Sequence, residues 1–245
     1  MLVSIVGGGG SYPPPHFGGP SVAIDFDGSI LLVDCGEDCL TGLSVTGYDP
    51  CDVEEIFITH IHIDHWAGIP QLAVGKIAEG CPRLKFIGAT PVVTSLSEII
   101  PRFLPRSLSY EFVRFDDYYD VNGYSVKLVE MDHTVETYGL LVSDRESKLV
   151  AIMSDTRPSN KILNVIKDTI LMLFEATLPS ALAEIAASSK HTTVTELLNV
   201  ARQVGANYTI AYHLSKLSLE ELRQALRAMQ QTRILIGARG LQISL

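Results

Sequence analysis

Thr59-His60-Ile61-His62-Ile63-Asp64-His65 puts three imidazoles and a carboxylate within six residues. If this segment is extended, His60, His62 and Asp64 project to one side, and Ile61 and Ile63 to the other. His60 and His62 can then grip one cation from a strand end, while a break in the alternation at Asp64-His65 turns those two toward a second. Imidazole with carboxylate suits zinc, and also manganese or iron. The competing reading is a chance cluster on an exposed loop. Only seven histidines occur in the whole chain, and three of them fall in this one alternating segment beside Asp64.

Upstream, Ile56-Phe57-Ile58 is a short apolar strand that runs directly into the cluster. Val22–Phe26 and Ile30–Val33 flank Asp27-Gly28, a hairpin signal, and Leu2–Val6 reads as another strand. Gly7 to Pro20 is a Gly/Pro-rich loop with little side chain to pack. Gly7–Gly10 lacks the G-x-x-x-x-G-K-[ST] pattern of a phosphate loop and opens no helix. Asn122-Gly123 predicts a hairpin between Phe112–Phe115 and Ser125–Glu130. Leu140–Val142 and Lys148–Ile152 pair around Asp144–Ser147. The first half therefore reads as strands joined by tight turns.

The second half alternates strand and helix. Ile170–Phe174 reads as a buried strand. Thr193 with Glu196 forms a capping box, after which Val194, Leu197, Leu198, Ala201 and Val204 recur at helical spacing until Gly205. Tyr208–Ala211 is a strand leading to His213. Ser218 with Glu221 is a second capping-box candidate, followed by Leu222, Ala225, Leu226 and Met229 on one face. Ile234–Ile236 and Leu241–Leu245 close the chain. Strands running into helices in both halves imply two β-sheets with helices outside.

Length and composition set the limits. A chain of 245 residues buries a sizeable core, as one larger domain or two fused halves. Hydrophobic residues at 47% and charged residues at 19% exclude a disordered chain. No apolar run approaches the ~20 residues of a membrane span, and Met1 to Gly10 lacks the pattern of a secretory signal, so a cytoplasmic protein is expected. Cys35, Cys39, Cys51 and Cys81 show no C-x-x-C pairing and are expected to be reduced thiols. A net charge of −9 argues against bulk attraction to nucleic acid or anionic lipid.

The H-x-H-x-D-H segment, with Trp66-Ala67-Gly68 after it, resembles the signature of the metallo-β-lactamase superfamily. Four further segments match in order: Asp34-Cys35-Gly36-Glu37, Asp132-His133-Thr134, Ser154-Asp155-Thr156-Arg157-Pro158 and Tyr212-His213-Leu214-Ser215. The resemblance spans essentially the whole chain. It implies an α/β fold, a four-layer αββα sandwich, with residues 1–245 as a single domain and metals at one edge. It further implies that His60, His62 and His133 hold a first ion and that Asp64, His65 and His213 hold a second. Asp155 would bridge both. Taken alone, His133 and His213 read as structural histidines and Asp155 as a turn residue. Asp34 is a candidate for a supporting hydrogen bond to a ligand histidine. Two divalent ions, zinc foremost, would lower the pKa of a shared water toward neutrality, with Asp64 orienting the resulting hydroxide and accepting its proton.

Two downstream segments select a branch. Phe174-Glu175-Ala176-Thr177 and Lys190-His191-Thr192-Thr193 resemble segments of ribonuclease Z, whose matching Glu and His protonate the leaving oxygen. On that resemblance Glu175 and His191 are catalytic, since a departing alkoxide needs a proton. His191 also precedes a predicted helix N-terminus, where exposure is expected. Without the resemblance, Glu175 reads as a surface carboxylate and His191 as an exposed residue before a helix. The long tRNA-gripping arm of ribonuclease Z commonly lies between the segments matching His133 and Asp155. Here only 21 residues lie between those two, enough for a hairpin. Small arm-less phosphodiesterases resemble the chain in this respect. The expected activity is cleavage of a phosphate ester, with RNA or a cyclic nucleotide as substrate and no membrane partner. Relatives also suggest a homodimer. The alternatives are hydrolysis of thioesters, lactones or lactams on the same centre, and a non-catalytic metal-binding protein of this fold.

Overall fold

The computed structural model describes residues 1–144, 147–229 and 233–245. The chain divides into two compact units. One comprises Met1–Gly8, His16–Asp117 and Ala238–Leu245, the other Gly9–Pro15 and Tyr118–Gly237.

The first unit opens with β1 (Leu2–Gly7), β2 (Ser21–Phe26) and β3 (Ser29–Val33), an antiparallel meander turning at Asp27-Gly28 as the sequence predicts. After helix α1 (Cys39–Thr46) come β4 (Val53–Phe57), α2 (Ile69–Ala78), β5 (Arg83–Ala89), α3 (Thr90–Ile99) and β6 (Ser109–Phe115). Strands β3 to β6 run parallel, which requires helical crossovers. The expectation of strands joined only by tight turns in this half is therefore corrected. Helices α1 and α2 escape a periodicity reading because they are short and carry apolar residues on more than one face: α1 buries Cys39, Gly42 and Leu43 but exposes Val45, and α2 buries Ile69, Leu72 and Ala73 but exposes Val74.

The second unit begins with β7 (Tyr118–Val121), β8 (Tyr124–Glu130) and β9 (Tyr138–Ser143), again an antiparallel meander. β10 (Lys148–Ile152) pairs with β9, and Arg145 and Glu146 of the predicted turn lie outside the described residues. Then follow α4 (Asn160–Ile166), β11 (Leu171–Glu175), α5 (Ala183–Ser189), α6 (Val194–Val204), β12 (Tyr208–Tyr212), α7 (Lys216–Ala228) and β13 (Ile234–Ile236). β10 to β13 are parallel, so the sheet order is β13-β12-β11-β10-β9-β8-β7. The chain then returns to the first unit as β14 (Gln242–Ser244), antiparallel to β1. That unit's order is β14-β1-β2-β3-β4-β5-β6.

Two further expectations are corrected here. The Asn122-Gly123 hairpin joins β7 to β8, while Phe112–Phe115 belongs to β6, parallel to β5 in the other unit. Phe112 stacks on Phe86 at 5.2 Å, and that cross-strand contact settles its sheet. The second capping box also starts one turn earlier, with Ser215 as N-cap and Ser218 answering it; Glu221 accepts from Ser180 instead. The first capping box, Thr193 with Glu196, forms as expected, and Gly205 ends α6 in a left-handed conformation. A cap of this kind contributes about 1 kcal/mol.

Burial follows the strands. Val3, Ile5, Ile24, Leu32, Ile56 and Phe86 fill the first unit's core, and Val126, Leu140, Val142, Val150 and Ile210 the second's; every residue of β11 is buried. Cys51 and Cys81 form a disulfide, which corrects the expectation of four thiols; Cys35 and Cys39 remain thiols. Cys51 lies in the turn before β4 and Cys81 just before β5. The parallel pairing of those strands brings the two together across 30 residues of sequence. Beside them, Lys76 is buried and donates to the carbonyls of Pro50 and Val53. Burial pushes its pKa down. Among the described residues no helix is long and apolar enough to cross a membrane.

Candidate metal centre

In the first unit, the functional side chains sit where parallel strands β3 and β4 end. Open α/β sheets gather ligands at such carboxyl ends. Asp34 follows β3 in a left-handed conformation (φ 59°), its N–H donating to the Phe57 carbonyl at 2.8 Å. Its buried carboxylate accepts from the Thr59 N–H and hydroxyl, both at 2.9 Å, and from His65 Nδ1 at 2.7 Å. Burial raises the Asp34 pKa, and the His65 and Thr59 contacts oppose that rise. The Thr59 hydroxyl gives its one proton to Asp34, so it meets His60 Nδ1, 3.0 Å away, as an acceptor.

Both His60 and His65 thus carry hydrogen on Nδ1 and present Nε2. His60 Nε2 lies 3.0 Å from His62 Nδ1, and His65 Nε2 lies 3.7 Å from Asp64 Oδ2. The extended conformation holds only to His62; Ile63–His65 is a single helical turn, which gives Asp64 a different direction from His60. Gly36 makes room for that turn, because a Cβ there would stand 2.5 Å from the Asp64 carbonyl oxygen.

In the second unit the residues come from separate loops on one sheet edge. His133 follows β8, Asp155 follows β10, Glu175 ends β11 and His213 follows β12. His133 Nδ1 donates to the Lys190 carbonyl at 3.2 Å, and Lys190 Nζ returns bonds to the His133 carbonyl at 3.0 Å and Asp132 at 2.9 Å. Asp155 divides its oxygens, with Oδ2 3.9 Å from His133 Nε2 and Oδ1 3.3 Å from His213 Nε2. His213 adopts φ 52° and lies so close to Gly10 that a Cβ there would be 2.7 Å from the ring.

Glu175, the surface carboxylate of a bare sequence reading, is completely buried. Oε1 accepts from the Thr156 N–H at 2.6 Å and from His191 Nδ1 at 3.0 Å, and Oε2 accepts from the Thr192 N–H at 3.1 Å. His191 retains 16% side-chain exposure and reaches the solvent that the pair would need to serve. Asp155, His191 and His213 also offer ligand atoms within 4.8 Å of one another. Thr59, Thr177, Lys190 and Gly10 were not singled out as functional from sequence. Threonine, lysine and glycine are common in loops, and only the fold shows which imidazole each one touches.

These donors fit divalent ions. In a tetrahedral site with bonds of about 2.0–2.1 Å, neighbouring ligand atoms stand about 3.3 Å apart. The pairs within each unit stand at 3.0 to 3.9 Å. The supporting oxygens hold hydrogen on the far nitrogen of His60, His65 and His133, as metal-ligating histidines require.

Two mixed sheets with functional loops at the ends of their parallel strands define the metallo-β-lactamase fold. The protein of that fold from Bacillus subtilis, YhfI, matches 99% of this chain and 98% of its own at a TM-score of 0.83 and 18% identity. The short form of human tRNase Z matches 100% and 99% at 0.78 and 21%. A ribonuclease Z of Methanococcus maripaludis is 26% identical over 88% of this chain and 86% of its own. The profile of the Anti-Pycsar protein Apyc1 family matches residues 1–234, and the chain belongs to that family.

Proposed function

We propose that this chain is a binuclear metal-dependent phosphodiesterase of ribonuclease Z-like chemistry. His60, His62 and His133 would hold one ion and Asp64, His65 and His213 the other, with Asp155 serving both; residues 1–245 would then act as a single domain. Zinc suits the donors best, with manganese or iron as alternatives. Two such ions supply Lewis acidity, bringing the pKa of a water near neutrality and offsetting phosphate charge. Asp64 orients the attacking water and accepts its proton. His191, held at Nδ1 by Glu175, donates a proton from Nε2 to the departing oxygen.

The observation that carries this reading is the 3.0 Å contact between His191 and a fully buried Glu175. An alkoxide leaving group needs a positioned acid, whereas a thioester's thiolate does not to the same degree. The short span between His133 and Asp155 and the net charge of −9 favour a small phosphodiester, such as a cyclic nucleotide, over a tRNA precursor. The M. maripaludis relative's name keeps RNA in the comparison.

Bis(p-nitrophenyl) phosphate, a lactone and thioester panel, cyclic nucleotides and a tRNA precursor, assayed on the zinc-loaded protein, test the proposal. Cleavage of phosphodiesters with cyclic nucleotides preferred is expected; activity confined to lactones or thioesters would overturn it, as would no turnover despite bound metal. A homodimer in the cytoplasm completes the reading.

A further inference from the structure

Thr177 lies just beyond β11 and touches both ends of the second unit's chemistry. Its Oγ1 is 2.5 Å from Glu175 Oε2, 2.8 Å from His213 Nδ1 and 3.2 Å from the His213 carbonyl oxygen. A hydroxyl has one proton to donate. Glu175 Oε2 already accepts from the N–H groups of Thr192 at 3.1 Å and Thr177 at 3.3 Å, which can only donate, so it acts as an acceptor here. The carbonyl is likewise acceptor-only. Whichever oxygen takes the proton, the hydroxyl turns a lone pair to His213, and His213 Nδ1 must carry hydrogen. A neutral imidazole has one such hydrogen, so Nε2 is left as a lone-pair donor, 3.3 Å from Asp155 Oδ1.

We infer that Thr177 is a positioning residue that sets the His213 tautomer for metal binding and ties that ligand to the Glu175–His191 pair. The inference rests on the proposed metal centre and extends it to a residue that binds no ion and no substrate. One hydroxyl links the ligand side of the site to its proton-donor side through Glu175, whose other oxygen receives His191. Gly10 leaves room for the His213 ring, which a Cβ there would meet at 2.7 Å.

The test uses the full-length protein with Thr177→Val, which keeps the shape and loses the hydroxyl, and Thr177→Ser, which restores it. Zinc affinity is read by competition with a chromophoric chelator, and the His213 tautomer by nitrogen NMR of the metal-free native protein. Valine is expected to weaken zinc binding about 10- to 100-fold, the usual effect of losing a ligand's supporting partner, and serine to recover most of it. Native His213 is expected to carry hydrogen on Nδ1. Valine binding zinc like the native protein, or a native Nε2–H tautomer, overturns the inference; the second result needs no variant to fold. If His213→Ala leaves zinc affinity unchanged, the metal-centre reading itself has failed.

Discussion

Each unit carries the same small device: a buried carboxylate at the end of a parallel strand, a threonine hydroxyl and a pair of histidines. In the first unit it is Asp34, Thr59, His60 and His65; in the second it is Glu175, Thr177, His213 and His191. The two differ in how the histidines are supplied. His60 and His65 share one loop, and among the described residues Asp34 accepts one backbone N–H, that of Thr59. His191 and His213 come from different loops, and Glu175 accepts the N–H groups of Thr156, Thr177 and Thr192. Where the chain itself gathers the ligands, a carboxylate needs only to orient them. Where they are scattered, the carboxylate also has to fasten the loops.

The pairs also divide in proposed use. On that reading both histidines of the first unit would bind metal, whereas the second unit would send His213 to metal and His191 to the leaving group. Asp64→Ala tests the nucleophile side with the largest expected effect. Turnover should fall by about 10³-fold or more, in the range for a lost general base, with circular dichroism unchanged. His191→Ala comes next: about 10²-fold slower cleavage of alkyl phosphodiesters, and far less slowing of p-nitrophenyl esters, whose leaving group needs no proton. Equal slowing of both would remove the distinction between the two units.

Asp34→Asn should weaken zinc binding by about 10- to 100-fold, because the amide NH2 replaces one accepting oxygen and the Thr59 N–H, Thr59 hydroxyl and His65 donors can no longer all be accepted. Native affinity in this variant would make the first unit's carboxylate incidental. The smallest effect on activity is expected from reducing Cys51–Cys81, which belongs to the first unit only. A closed loop of 30 residues' separation gives about 3–4 kcal/mol by chain entropy, so reduction should lower the thermal midpoint while zinc affinity and turnover stay near native.

The same contrast explains what the sequence made legible. Residues 59–65 announce a metal site unaided, because local alternation brings their donors together. His133, Asp155, Glu175, His191 and His213 carry no local signal and are found only through resemblance, since the fold of the second unit, not sequence spacing, brings them together. The strands were legible from apolar runs and from turn dipeptides such as Asp27-Gly28. Helices α1 and α2 were not, being short and without a single polar face. Asn122-Gly123 fixes a turn but not how far back its first strand reaches, so the sequence alone assigns Phe112–Phe115 to the wrong hairpin. The Cys51–Cys81 bond was missed for the same reason as the scattered ligands: parallel pairing of distant strands creates it.

Metal stoichiometry by elemental mass spectrometry, on the native protein and on His60→Ala and His213→Ala, tests the central claim most directly. Two divalent ions per native chain are expected, with bound metal falling in each variant whichever unit it alters. A native chain holding no ion, or holding two when His213 is replaced, would contradict the account.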